Sequence, residues 1–260
     1  MNEHDGFTVD VEDGIAEVVL DDPRSRNSLS LATIDGLIAA FEALGRRTDA
    51  DVIVLGHEGP AFSAGHDLRE MSDRDLPFYQ ELFDRCSVLM QSLHYLPQPV
   101  IARVDGVATA AGCQLVASCD LVVATDRSSF ATPGVRIGLF CSTPMVALSR
   151  SVGRKRALQM LLTGEPVSAV TAADWGLVNR AVPDDQLDAA VADLIGRATR
   201  GSALSKSLGK RSFYAQVGLD QPDAYEVAID AMASAAMIPD AQEGFTAFLE
   251  KRHPNFTQHP

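Results

Sequence analysis

The chain has 260 residues, 46% hydrophobic and 22% charged, with a net charge of −13 at pH 7 and an isoelectric point near 4.8. This composition excludes a disordered, collagen-like or disulfide-stapled chain. The acidity argues against a general binder of nucleic acid or anionic membrane, because bulk electrostatics would repel both. An anionic small ligand stays possible where a few cations gather, and the cations are 18 Arg and 4 Lys.

Residues 1–5 are acidic and lack the apolar run of a secretory signal. No uncharged apolar stretch reaches the ~20 residues of a membrane span. The expectation is a cytoplasmic protein with no membrane partner. Cys86, Cys113, Cys119 and Cys141 show no metal-binding spacing, so reduced, buried thiols and no metal site are expected.

In chain order, residues 7–11 and 15–20 read as a β-hairpin around the turn 12–14. Ser30 can cap a helix from Leu31 to about Gly45, where Ile34, Leu37, Ile38, Phe41 and Leu44 recur at helical spacing. The run 52–56 predicts a strand buried on both faces. The polar stretch 72–80, with Pro77, reads as a mobile loop before a helix over about 82–93. Strands follow over 99–104 and 121–124, then a helix near 170–175 and a strand over 178–182. From Leu187 the pattern is helical, broken at Gly201, Gly218, Pro222 and Pro239. Alternating strands and helices over 1–185, then helices over 186–260, predict an α/β core with a helical C-terminal region.

Two runs of small residues follow predicted strands. The first is Phe62-Ser63-Ala64-Gly65-His66-Asp67-Leu68, and the second is Ala108-Thr109-Ala110-Ala111-Gly112-Cys113-Gln114-Leu115. Small residues let a ligand approach the backbone, and the second run opens a helix whose first N–H groups lack intrahelical acceptors. Two such segments together suit a two-donor oxyanion hole. Asp67 and Glu70 have the spacing of a capping box.

These runs, with Leu20-Asp21-Asp22-Pro23-Arg24-Ser25-Arg26-Asn27-Ser28-Leu29, Val104-Asp105-Gly106, Cys119-Asp120-Leu121 and Leu162-Thr163-Gly164-Glu165, resemble the crotonase, or enoyl-CoA hydratase/isomerase, superfamily. The fuller pattern is similar to its branch of enoyl-CoA hydratase domain-containing 3 type. The resemblance covers roughly residues 7–256. It implies a spiral of stacked ββα units, a helical region holding a homotrimer or hexamer, and acyl-CoA as substrate or ligand with no tightly bound cofactor. By position, it implies an oxyanion hole of the N–H groups of Ala64 and Ala111. Arg24, with Arg26 beside it, falls near the CoA phosphates. Ser63, Gly65, Asp67, Leu68, Phe140 and Cys141 are implied substrate-binding positions, and Phe78, Tyr79 and Phe83 are candidates for the acyl pocket.

The pattern departs from the superfamily at the two glutamates that handle water in its hydratases, which are Gln114 and Gly134 here. A glutamine amide has no useful basicity, and glycine has no side chain. General acid–base groups each supply about 10²–10⁴ in rate, so the usual hydration chemistry should nearly vanish. Restoring both carboxylates is expected to raise hydration by about 10²-fold. His66 is a substitute base. Cys141 and Ser142 are candidate nucleophiles for thioester cleavage, and Asp120 reads as structural. The sequence thus supports two functions: an enzyme of lipid metabolism acting on a CoA thioester, named by similarity an enoyl-CoA hydratase, or a non-catalytic acyl-CoA binder or regulatory subunit.

Overall fold

The structure, a computed structural model, describes residues 2–4 and 6–257. It opens with β1 (Asn2–His4), β2 (Phe7–Glu12) and β3 (Gly14–Leu20), where β2 and β3 pair antiparallel from Phe7↔Leu20 to Glu12↔Ile15. Helix α1 (Leu31–Leu44) starts where the Ser30 hydroxyl accepts the Thr33 N–H, and it buries all five periodic residues.

Three ββ pairs follow. The first is β4 (Ala50–His57) and β5 (Ala61–Ser63), with helices α2 (Leu68–Met71) and α3 (Leu76–Tyr95). The second is β6 (Val100–Val104) and β7 (Val107–Thr109), with α4 (Ala111–Ser118). The third is β8 (Leu121–Thr125) and β9 (Ser129–Ala131), leading through a 3-10 turn at Pro133–Ile137 to α5 (Pro144–Ser151) and α6 (Arg154–Thr163). The chain continues as β10 (Val167–Ser168), α7 (Ala169–Trp175), β11 (Arg180–Val182), α8 (Leu187–Ala198), α9 (Ala203–Gln216), α10 (Gln221–Ala236) and α11 (Pro239–Glu250).

In each pair the first strand enters a seven-stranded sheet, ordered β1-β2-β3-β4-β6-β8-β11, and the second enters a four-stranded sheet, ordered β10-β9-β7-β5. From β3 to β11 the larger sheet is parallel. Its central strands are covered on both faces, which is why 52–56 is continuously apolar. Ile53 and Leu55 pack into the main core with α1 and α3, while Val54 packs with Val123, Leu187 and Val191 under α8.

Two expectations are corrected. The stretch 72–80 is not a free loop: Asp75 accepts the Phe78 N–H, and Pro77 sits in the first turn of α3, where its missing N–H goes unnoticed. The last strand is shorter than 178–182, because Leu177 and Val178 pack into the core before β11 begins. Among the described residues, no helix is long and apolar enough to cross a membrane.

Helix α9 is tied to the sheet through one charged knot. Asp120, at the start of β8, accepts from Lys210 Nζ at 2.5 Å, from Tyr214 Oη at 2.8 Å and from the Val100 N–H at 2.7 Å. Lys210 Nζ also donates to the Gln98 carbonyl at 2.9 Å, and His94 stacks on Tyr214 with centroids 3.9 Å apart. Asp120 is therefore structural, as the sequence suggests.

Candidate functional site

The two small-residue runs are small because they lie against one another. Gly65 has φ +87°, and a Cβ there would sit 2.9 Å from Ala110 Cβ and 3.1 Å from Ala111 N. A Cβ on Gly112 would overlap the Ser63 carbonyl oxygen. Any larger residue at either position would push β5 and the start of α4 apart. Asn27 braces the first run from behind, donating from Nδ2 to the carbonyls of Glu58 at 2.9 Å and Ala61 at 2.7 Å.

This packing decides which backbone donors are available. The Ala64 N–H is already given to the Arg26 carbonyl at 3.0 Å, and the Leu29 N–H goes to the Gly65 carbonyl at 2.8 Å. Ala64 is thus not a free donor, which corrects the expectation drawn from its position in the motif. Two residues on, the His66 N–H has no acceptor among the described residues. The Ala111 N–H has none either, since it opens α4. Ala110 before it holds φ +51° and ψ −120°, a strained conformation costing about 1–3 kcal/mol that recurs at functional sites.

His66 and Ala111 line one cavity of about 480 Å³, whose wall also includes Ala64 and Ala110. Gly134, Leu139, Phe140 and Cys141 line it as well, with Met71 and Phe83 adding apolar surface. Of the proposed pocket residues, Phe83, Phe140, Cys141 and the exposed Leu68 line the cavity. Phe78 and Tyr79 do not: Arg74 covers the Phe78 ring, and Tyr79 Oη donates to the Met71 carbonyl at 2.7 Å. Ser63 is fully buried behind the wall, where its hydroxyl accepts the Gly65 N–H. Asp67 caps α2 by accepting the Arg69 N–H at 2.9 Å, but Glu70 does not close a capping box. Its carboxylate accepts the Leu31 N–H instead. Arg24 and Arg26 lie exposed on the turn whose carbonyl holds Ala64, and neither side chain makes a hydrogen bond or ion pair among the described residues. Arg136, on the cavity wall, is the cation that sequence reading missed, because nothing local marks residues 133–144 as sharing a cavity with Ala64 and Ala111.

The two glutamate positions differ. Gln114 is buried, and its Oε1 has no hydrogen-bond partner among the described residues. At Gly134 there is no room: a Cβ would overlap the Leu139 carbonyl oxygen and lie 2.8 Å from Cys141 Sγ. The Leu139 N–H closes the same turn onto the Gly134 carbonyl at 3.0 Å. The second carboxylate is therefore excluded as well as absent, and the expected gain from restoring both is corrected accordingly.

His66 is the one histidine among the residues lining the cavity, and its ring packs edge-on to Phe83. Its Nδ1 lies 3.2 Å from the Leu29 carbonyl, which assigns the proton to Nδ1 and leaves Nε2 a free lone pair. Nε2 is buried and has no partner among the described residues. Burial holds His66 below the usual histidine range, as it does His57 and His94. All three depressions have one sign. The unfolded chain takes up protons near pH 6.5, before the folded chain does, so their stabilising contribution is complete above that pH and lost as pH falls through the folded values. Urea midpoints should fall between pH 7.5 and 5.5, a window in which carboxylates stay ionised. A midpoint that holds or rises would contradict the neutral, buried assignment.

Cys141 is mostly buried, and its thiol is pushed up by that burial. The Ser142 hydroxyl points to the Phe140 carbonyl at 3.4 Å, so no base activates it for thioester cleavage.

Residues 10–259 match the enoyl-CoA hydratase/isomerase family. The mouse mitochondrial enoyl-CoA hydratase domain-containing protein 3 is 49% identical over 94% of this chain and 81% of its own. A crystal structure of an enoyl-CoA hydratase from Mycobacterium smegmatis superposes with a TM-score of 0.94 at 45% identity, covering 96% of this chain and 98% of that one. That of human enoyl-CoA hydratase domain-containing protein 3 gives 0.93 at 46%, covering 96% and 100%. The mouse, rat and human relatives are all named mitochondrial, which overturns the expectation of a cytoplasmic protein. The features behind that expectation test for secretion and membrane insertion, and they do not discriminate among intracellular compartments.

Proposed function

The chain belongs to the enoyl-CoA hydratase/isomerase family and has the crotonase fold, and from this premise we propose that it binds an acyl-CoA thioester with the carbonyl oxygen between the backbone N–H groups of His66 and Ala111. The observation that carries this reading is the pair of unspent donors on one cavity wall, with the Ala64 N–H committed elsewhere. Fixed N–H dipoles in a cavity closed by Met71, Phe83 and Phe140 stabilise negative charge on the thioester oxygen, and so favour enolate-like chemistry at the neighbouring carbons. The exposed Arg24 and Arg26 supply the local cations that an acidic protein needs for a polyanionic CoA. The substrate class is a 2-enoyl or other acyl thioester of lipid metabolism.

Hydration by a pair of carboxylates is not the chemistry of this cavity. His66 is the one histidine among the lining residues, and its Nε2 is buried away from the cavity, so a side-chain shift must precede any proton transfer to it. A non-catalytic acyl-CoA binder is the second reading, supported by the closure of the Gly134 turn. The exposed apolar residues of α10 and α11, among them Ile229, Met232, Phe248 and Leu249, support assembly as a homotrimer or hexamer.

The test is spectroscopic. A chromophoric enoyl thioester such as 4-dimethylaminocinnamoyl-CoA should shift to longer wavelength on binding, because the two N–H groups draw electron density toward the carbonyl oxygen. Calorimetry should show tighter binding of the acyl-CoA than of the free fatty acid. Binding without a wavelength shift would remove the oxyanion site, and equal affinities would remove the CoA assignment.

A further inference from the structure

The cavity holds far more than the reacting group of a thioester. An apolar cavity of about 150 Å³ accepts a six-carbon ring, so about 480 Å³ takes roughly three times as many carbon-sized atoms. Its walls are braced from behind. Tyr79 Oη holds the Met71 carbonyl at 2.7 Å, and the Phe83 ring packs edge-on to His66 with centroids 5.6 Å apart. Along residues 134–145, the Leu139 N–H bonds the Gly134 carbonyl at 3.0 Å and the Met145 N–H bonds the Cys141 carbonyl at 3.1 Å. Among the polar side chains of the lining, His66, Arg136 and Ser142 each turn to a backbone carbonyl, those of Leu29, Thr163 and Phe140. An apolar chain is the complement of the space that remains.

Three large apolar residues of the lining stay exposed: Leu68 at 57%, Ile137 at 63% and Leu139 at 46%. A residue that both lines a cavity and meets solvent stands at its opening. Leu68 ends the run that carries the His66 N–H, whereas Ile137 and Leu139 belong to a segment with neither of the two donors and neither of the proposed CoA cations. The polyanionic end of the ligand goes with Arg24 and Arg26, whose turn holds the Ala64 N–H. We propose that the acyl group is an alkyl chain of about eight to twelve carbons, laid from the two N–H groups along Met71, Phe83 and Phe140, and that Ile137 and Leu139 read its length. This rests on the acyl-CoA reading above. The thioester and the last atoms of the pantetheine arm take the rest of the volume. A chain that reaches Ile137 and Leu139 removes their apolar surface from water together with its own, whereas a butyryl group leaves most of the space unfilled.

Calorimetry of the full-length protein with a series of saturated acyl-CoA thioesters, each below its micelle concentration, tests the length. Decanoyl-CoA should bind at least about tenfold more tightly than butyryl-CoA, since each buried methylene brings up to about fourfold. The gain should level off by the myristoyl thioester, whose chain outruns the cavity. Ile137→Asp places a charge at an exposed position that the core does not depend on. It should weaken decanoyl-CoA by about tenfold and leave butyryl-CoA within about twofold. Leu162→Asp, equally exposed at 63% but outside the lining, should leave both unchanged. A gain that continues undiminished to myristoyl-CoA would overturn the stated length. An Ile137→Asp variant that weakens both thioesters alike, or neither, would overturn the role of that residue. Thioesters that bind equally at every length, yet more tightly than free fatty acids, would overturn this inference alone, whereas failure of every thioester to bind would overturn the acyl-CoA reading too.

Discussion

Gly134→Glu is expected to leave crotonyl-CoA hydration at the wild-type rate and to destabilise the fold. A Cβ at this position overlaps the Leu139 carbonyl oxygen and crowds Cys141 Sγ, so even Gly134→Ala must displace the 139–141 backbone. Overpacking of this kind costs about 1–3 kcal/mol, and a carboxylate adds its own desolvation. The Leu139 N–H bond to Gly134 resists the displacement. Gln114→Glu together with Gly134→Glu should therefore fall well short of the roughly 10²-fold gain that two general acid–base groups would otherwise bring. The check is a continuous hydration assay beside a thermal melt for each single variant and the double. A double variant that folds with the wild-type midpoint and gains 10²-fold would show that the loop yields where its geometry says it should not.

Lys210→Met is expected to be among the most destabilising single changes in the chain. It removes the cation from a knot in which Lys210 and Asp120 side chains are only 9% and 15% exposed, and it leaves the carboxylate with Tyr214 and the Val100 N–H alone. Breaking one partner of a buried ion pair costs about 3–5 kcal/mol, because the other charge stays desolvated. Asp120→Asn should behave similarly, and Lys210→Met with Asp120→Asn should cost clearly less than the sum of the two. Denaturant unfolding of the four proteins measures this coupling. Strict additivity would mean that the pair is solvated in solution. The knot joins α9 to β6 and β8, so its loss should loosen the C-terminal helices first.

Much of the architecture was readable from local pattern. The five periodic residues of α1 and its Ser30 cap, the doubly buried run of β4 and the hairpin of β2 and β3 depend on near neighbours, and each appears where the spacing places it. The family motifs were legible too, because they sit in contiguous stretches. Local chemistry also argued against the reading of 72–80 as a loop: Asp75 and Pro77 together mark a helix start, and composition alone hid it.

What only the tertiary structure decided is where distant segments meet. The motif position pointed to the Ala64 N–H as a donor, but the Arg26 carbonyl, some forty residues away, consumes that N–H and leaves the His66 N–H unspent. Phe78, Tyr79 and Phe83 are alike as letters, yet only the last reaches the cavity, because the packing of α3 against α1 and α4 sets which face it turns inward. Gly134 reads as a missing side chain, but it is a filled space, since the turn through Leu139 and Cys141 folds back over it. Hydrogen-bond capacity and volume are each spent once, and a chain read in one dimension shows who could spend them, whereas packing in three dimensions determines who does.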